Sequence, residues 1–438
     1  MGVEYKKKGK KGNSLFCREM TIRCGKLLLA VVLLVIPLCL YINLTFVTRH
    51  SKTNIEKMKE KLNQQQIQPV VTVPASIVTT ELNHNKSLEK KKKIAYAITV
   101  TKDGHFVDGA LVLGYSAKRV HDITKGFESE YDADLIAFVV PTVITSRPIL
   151  AAYGWKIIEH TLPVAYEEIE NQDYANSMKN SGCCGGDEFL KLWAYTLTEY
   201  HRVVHLDMDS LVLGNMDELF SIDKELLFTG DWNMKGGSPV PPAQGGFLVI
   251  RPSMERFEEL RAIIRKGDHT GRGWGGSGIG NFWGGQTIQG ILPYFYHSIH
   301  PDDGLEVNRC VYNCMVDNPY RPNTNQCLNK QPTCEDCRLQ KVQLVKSAHF
   351  TICQKPWTCT EHLNPRNNVL CSALHRRWFE LRDELERASN VDTSYRTDLS
   401  KTRDKDSMGM CSKYGDNGYH VIPLTLCDEK CDRTMPKY

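Results

Sequence analysis

Asp207 and Asp209 stand one residue apart at the end of the apolar run Val203-Val204-His205-Leu206. A run of that kind reads as a buried parallel strand. Ligands of open α/β sheets bind beyond the carboxyl ends of the strands. The pair therefore puts two hard oxygen ligands where a phosphate-bound cation belongs. Mg²⁺ and Mn²⁺ favour such ligands and share them with substrate phosphates. That chemistry points to a nucleotide-sugar transferase. The chain holds two further Asp-x-Asp triplets that serve as internal controls. Asp132-Ala133-Asp134 precedes the apolar run 135–140, so it enters a strand instead of leaving one, and Asp404-Lys405-Asp406 lies in a charged segment with no strand beside it.

The elements that must position the pair are legible in outline. Ile94 to Thr101, Leu135 to Val140, Trp155 to Ile158 and Val203 to Leu206 read as strands. Gly109 to Ser116, continuing toward Val120, reads as a helix, and Glu188 to Tyr200 carries apolar residues at helical spacing. Strands alternating with helices indicate an α/β fold with a mostly parallel sheet. From Pro239 to Gly290 the chain is rich in Gly, Trp and Pro. Aromatic residues interleaved with glycine lean toward a loop that faces carbohydrate, since Trp offers sugar rings a flat apolar face.

The net charge of +4 argues against nucleic acid as the main partner. Lysines and arginines cluster within residues 1–26, and 27–47 are almost wholly apolar. A helix of that length spans roughly 31 Å, the thickness of a hydrocarbon core. The basic flank predicts a cytoplasmic N-terminus, and no small-residue cleavage site follows Val47. The expectation is a single-pass type II anchor. Residues 48–93 are polar and Lys/Gln-rich, a flexible stem in which Asn85-Lys86-Ser87 matches the N-glycosylation pattern. Of 16 cysteines, three precede or lie in the apolar run. The other thirteen, including Cys183-Cys184 and a dense C-terminal series, read as disulfides of an oxidising lumen, with at least one left over. Cys334-Glu335-Asp336-Cys337 has zinc spacing, but no matching second Cys-x-x-Cys follows it.

Separated segments resemble, in order, the glycogenin-like glycosyltransferases, family 8 of the retaining nucleotide-sugar transferases. They are 96–103 with 109–114, Leu190-Lys191-Leu192-Trp193-Ala194-Tyr195, 205–220 around Asp207 and Asp209, Gln244-Gly245-Gly246-Phe247, Gln289-Gly290-Ile291-Leu292, and His349-Phe350-Thr351-Ile352-Cys353-Gln354-Lys355-Pro356-Trp357. The resemblance covers roughly 94–360. It implies a GT-A type, Rossmann-like catalytic domain over 94–360; the Cys-rich extension over 361–438 lies outside the resemblance. It implies that Asp207, Asp209 and His349 hold Mn²⁺ (or Mg²⁺), and that Lys355 contacts the diphosphate of a UDP-sugar, with UDP-glucose favoured. Thr99, Thr101 and Asp103 would line the nucleotide site, Gln244 and Gly245 would approach the donor sugar, and Lys191, Asp231 and Gln289 would serve the chemistry. The acceptor would be a glycan or glycoprotein in the Golgi lumen, and pairing as a homodimer is allowed.

The segments also depart from the family pattern. Ile288 stands before Gln289 where the family carries an acid, Gln244-Gly245-Gly246 replaces Asn-Ser-Gly, and Ile352 occupies a glycine position. The missing acid motivates a second reading, a lumenal nucleotide- or glycan-binding protein without turnover. A third is a self-glucosylating glycogenin, which the anchor and the cysteines oppose.

Overall fold

The structure, a computed structural model, describes residues 91–360, 369–400, 406–413, 415 and 418–423, with the backbone of 425–426 and 433–434. All lie in the second of two units, Ser87–Tyr438. The anchor expected over 27–47 and nearly all of the stem fall outside the described residues. Among those described, no helix is long and apolar enough to cross a membrane.

The chain opens with β1 (Lys92–Val100), α1 (Phe106–Arg119), β2 (Tyr131–Val139), α2 (Ser146–Ala152), β3 (Trp155–Glu159) and α3 (Gln172–Met178). A 3-10 helix, Gly185–Thr196, leads to β4 (Arg202–Leu206), β5 (Ser210–Val212), α4 (Asp217–Phe220), β6 (Leu226–Gly230), β7 (Ala243–Ile250) and α5 (Met254–Lys266). There follow a short hairpin of β8 (His269–Thr270) and β9 (Gly273–Trp274), then α6 (Ile288–Tyr294), β10 (Gly304–Glu306), β11 (Ser347–His349) and α7 (Val369–Ala388).

Seven strands form the central sheet in the order β10-β6-β7-β4-β1-β2-β3. The pairs β1–β2, β1–β4, β2–β3 and β6–β10 are parallel, while β7 runs antiparallel to both β4 and β6. The fold is thus α/β with a mostly parallel sheet, as the alternation of strands and helices predicts. Both faces are covered, and β1 shows why. Its Ile94, Tyr96, Ile98 and Val100 enter the core under α1 and α7, while Ala95 and Ala97 face the 3-10 helix, α5 and α6. Successive side chains of a strand point to opposite faces, so a strand buried on both must be apolar throughout.

Asp132 and Asp134 lie within β2, and Asp134 pairs with Lys156 at 2.7 Å and with Lys93 at 3.6 Å. Asp406 pairs with Arg376 at 3.0 Å; Asp404 falls outside the described residues. Neither control triplet assembles a metal cluster among the described residues.

The C-terminal extension docks onto the core. Glu384 of α7 meets Arg119 of α1 at 3.0 Å, and the Tyr419 hydroxyl donates to Asp108 at 2.8 Å. In α7 (Val369–Ala388), Arg382 and Glu386 are fully buried as a pair at 2.7 Å. Disulfides Cys353–Cys371 and Cys359–Cys411 staple this region, and Cys310–Cys337 and Cys327–Cys334 tie the preceding loops. Cys334 and Cys337 therefore belong to two different bridges, which removes the zinc reading. The Cys183-Cys184 pair departs from expectation: both remain thiols, with Sγ atoms 2.8 Å apart. Cys314 is a buried free thiol, and Cys427 and Cys431 lie outside the described residues.

Candidate metal centre

Pairing of β4 with β7 puts Leu206 opposite Phe247, so the chain leaves the sheet at Asp207 beside Gly246. The Asp207 amide donates to the Gly246 carbonyl at 3.4 Å. A tight turn follows, in which the Ser210 amide donates to the Asp207 carbonyl at 3.0 Å, and the chain enters β5. β5 pairs antiparallel with β11 and sets His349 opposite Ser210. The Phe350 amide, donating to the Asp209 carbonyl at 2.8 Å, locks the two segments together. This small ribbon joins a histidine to two carboxylates distant in sequence.

The three side chains converge, with one potential ligand atom from each lying within 4.8 Å of the others. His349 Nε2 is 3.2 Å from Asp209 Oδ1 and 3.7 Å from Asp207 Oδ2. The remaining oxygen of each carboxylate faces a lysine: Lys191 Nζ is 2.9 Å from Asp207 Oδ1, and Lys355 Nζ is 2.8 Å from Asp209 Oδ2. Each carboxylate thus turns one oxygen to the imidazole and one to an ammonium. The side chains of Asp209 and His349 are 9% and 3% exposed while that of Asp207 is 32% exposed, so the centre opens at Asp207.

Gly246 makes room for the imidazole. A Cβ on Gly246 would lie 2.3 Å from His349 Cε1 and 2.6 Å from Nδ1. Gly109 plays the matching part in α1: a Cβ there would lie 2.6 Å from both the Met208 carbonyl and the Trp357 ring. α1 is thereby pressed against the loop that carries both aspartates. Two carboxylates and an imidazole with converging atoms suit Mn²⁺ or another borderline divalent ion.

Charge in the centre is balanced internally. Burial disfavours a charged Lys191, but Asp207 and Glu188 outweigh it and raise the lysine pKa. Burial likewise opposes ionisation of Asp209, yet His349 and Lys355 hold its pKa below the usual carboxylate range. Asp207 is lowered against burial by Lys191 and His349. For His349, burial pulls the pKa down while the two carboxylates raise it further, with a net rise.

Lys191 stands on the 3-10 helix where helical spacing predicts an ordinary helix. In a 3-10 helix residues i and i+3 eclipse. Glu188 and Lys191 therefore project together, 2.7 Å apart, and Lys191 also donates to the Gly245 carbonyl at 3.2 Å. Glu188 is a site residue that sequence reasoning missed; its spacing of three from Lys191 is the signal that was available. A Cβ on Gly245 would lie 3.0 Å from Lys191 Nζ, 3.2 Å from Glu188 Oε2 and 3.4 Å from Ile288 Cγ2. Gly245 is thus in the cage, with the start of α6 above it.

The other expected residues take varied places. The Thr99 hydroxyl bonds His205 Nε2 at 2.9 Å, and burial together with Lys191 lowers the His205 pKa to about 3, so that ring is neutral. Thr101 follows β1, half-buried, and its side chain makes no hydrogen bond among the described residues. Asp103 accepts from the amides of Ile144, Thr145 and Ser146 and from the Ser146 hydroxyl, so both its oxygens are spent capping α2. A hydrophilic residue after a strand reads the same whether it meets a ligand or a helix end. Gln244 turns inward, accepting from the Gly246 amide at 2.6 Å with Nε2 near the Met315 sulfur. Asp231 follows β6 and accepts from the amides of Asn233 and Met234, and burial raises its pKa. Gln289 is half-buried on α6, its Oε1 2.6 Å from where a Gly284 Cβ would stand.

No protein-family model matches the chain. Among curated proteins it is similar to an uncharacterized protein of Acanthamoeba polyphaga mimivirus, 22% identical over 41% of this chain and 62% of the relative. Human glycogenin-1 is 28% identical over 46% of this chain and 52% of the relative. Inositol phosphorylceramide glucuronosyltransferase 1 of Arabidopsis thaliana is 26% identical over 43% and 30% respectively. The chain thus spans between 30% and 62% of the length of these relatives. Solved structures similar to it include the bifunctional glycosyltransferase WbbM, with TM-score 0.41 and 13% identity over 68% of this chain and 51% of that one. Mouse xyloside xylosyltransferase 1 aligns with TM-score 0.38 and 16% identity over 59% and 97%. The curated relatives thus include a glycogenin and a glucuronosyltransferase.

Proposed function

We propose that the chain is a retaining glycosyltransferase of GT-A type that moves a hexosyl group from a UDP-sugar to a glycan or glycoprotein. The observation that carries this reading is the convergence of Asp207, Asp209 and His349, each carboxylate backed by its own lysine. Mn²⁺, held by these three residues, would act as a Lewis acid on the diphosphate oxygens. Similarity to glycogenin-1 and to a glucuronosyltransferase supports a nucleotide-sugar donor.

The chain's own groups have distinct tasks. Lys355, 26% exposed, is the cation available to the departing diphosphate. Its charge stabilises the leaving group more than the bound donor, which lowers the barrier. Lys191 holds Asp207 in place and, with Glu188 and the Gly245 backbone, forms a wall beside the donor sugar. In the transfer, the bond from the anomeric carbon to the phosphate oxygen breaks. A bond to the acceptor oxygen forms on the same face, and the acceptor proton leaves with the diphosphate. No carboxylate nucleophile is required.

The four disulfides among the described residues support residence in an oxidising compartment. With the sequence expectation of an anchor over 27–47, this favours a type II protein of the Golgi membrane. The full chain in detergent, offered UDP-glucose, UDP-galactose, UDP-glucuronate and UDP-xylose with Mn²⁺, should release UDP from one of them. Losing a metal that supplies about 4 kcal/mol should make Asp207→Ala about a thousandfold slower. Full turnover by Asp207→Ala, or no release from any donor, refutes the reading.

A further inference from the structure

A cleft of about 700 Å³ opens between α3 with the turn after it and the loop from β8 to Gln286. That volume falls within the range of small-molecule sites, roughly 300–1,000 Å³. Both its walls lead to the metal centre. On one wall Gly182 precedes Cys183, whose thiol lies 3.8 Å from Glu188, the partner of Lys191. On the other, Gly284 lies against Gln289, and the neighbouring Ile288 packs on Gly245. The walls meet where a Cβ on Gly182 would stand 3.1 Å from the Gly284 Cα. Gly182 and Gly284 have φ of +70° and +82°, a conformation that favours glycine.

The lining chemistry selects the ligand. Among the described residues, no lysine or arginine lines the cleft. Burial lowers the pKa of His269, and its Nε2 faces the Gly280 carbonyl. Asp173 is the one carboxylate among the described lining residues. A nucleotide, a phosphate or a sulfated chain would find no lysine or arginine among these described residues. The side chains of Asp173, Asn180, Ser181, Asn281 and Gln286 make no hydrogen bond among the described residues, so their donors and acceptors are available. Trp283, 59% exposed, stands on the rim as a flat apolar face. Free amides, a hydroxyl and a carboxylate around an exposed indole suit a hydroxyl-rich ring with apolar C–H faces.

We propose that this cleft holds the acceptor: a neutral glycan stacked on Trp283, oriented by Asp173, Asn180 and Asn281, with its reacting end at the Gly284–Gln289 edge. This rests on the transferase reading and adds to it the substrate class and the direction of approach. The donor, being anionic, enters at the lysine-lined centre, and the acceptor enters from the cleft.

The test is saturation-transfer NMR on the full chain in detergent, without metal or nucleotide. The ligands are maltotetraose, xylotetraose, chitotetraose and mannotetraose, with a heparin tetrasaccharide as the acidic control. At least one neutral oligosaccharide should bind, and Trp283→Ala and Asn281→Ala should each weaken it about tenfold, since Trp truncations at binding sites commonly cost that much. Both variants should keep the wild-type unfolding temperature and Mn²⁺ affinity. The proposal is overturned if no neutral oligosaccharide binds, if binding survives both substitutions, or if heparin displaces the bound glycan. Binding is read without donor or metal, so an absence of Mn²⁺-dependent UDP release would sink the transferase reading, and with it the acceptor role, while leaving the cleft a glycan-binding site.

Discussion

Replacing Gly246 by alanine drives a methyl group into the metal centre from the sheet side. The new carbon would stand 2.3 Å from His349 Cε1 and 3.1 Å from Asp207 Oδ2. Carbon–carbon contacts settle near 3.6 Å, so the ring must retreat by roughly 1.3 Å or the strand must move. The strand is held: β7 is hydrogen-bonded to β4 on one side and β6 on the other. The His349 backbone is held as well, its amide donating to the Cys314 carbonyl at 3.1 Å, so the ring itself must turn away. Metal–ligand distances tolerate only about 0.2 Å, so a ring displaced by several times that no longer ligates well. Disturbing the support of a ligand typically costs 10- to 100-fold in metal affinity. Gly246→Ala should therefore raise the Kd for Mn²⁺ at least about tenfold. Overpacking should also lower unfolding free energy by about 1–3 kcal/mol. Manganese EPR titration measures the first and urea denaturation the second. An alanine variant that binds Mn²⁺ within twofold of wild type would refute the assignment of His349 Nε2 as a ligand.

Two further outcomes follow from the charges. Lys191→Met leaves Glu188 and Asp207 facing each other without their shared cation, and should cost about 3 kcal/mol, the low end for a broken buried pair because Asp207 is partly exposed. Urea denaturation at pH 7 reads it, and the deficit should shrink as the carboxylates protonate in acid; a wild-type midpoint would contradict the charge balance described. Because the folded pKa of His349 is raised, metal-free protein is stabilised by the imidazolium at low pH and loses that contribution as pH rises through the raised value. Mn²⁺ needs the neutral ring, so its affinity should fall as pH drops below that value, approaching one proton displaced per ion, and a Kd that does not change between about pH 5.5 and 8 would exclude histidine ligation.

Much of this centre is written locally. The strand ending at Leu206, the aspartates just beyond it and the alternation that makes the sheet depend on near-neighbour patterning, which a linear sequence carries. His349 and Lys355 were reachable only through a resembling motif, since nothing in their neighbourhood states that β11 pairs with β5. Tertiary structure alone decided the rest. It spent the Asp103 carboxylate on a helix cap and turned Gln244 inward. It tightened 185–196 into a 3-10 helix, which stacks Glu188 beside Lys191. It also sent Cys334 and Cys337 into separate bridges and closed a polar cleft from segments near 180 and 280. The physical reason is common to all of these. Side-chain chemistry and strand or helix periodicity are properties of short windows, whereas which oxygen meets which amide or ammonium is settled when distant backbones pack.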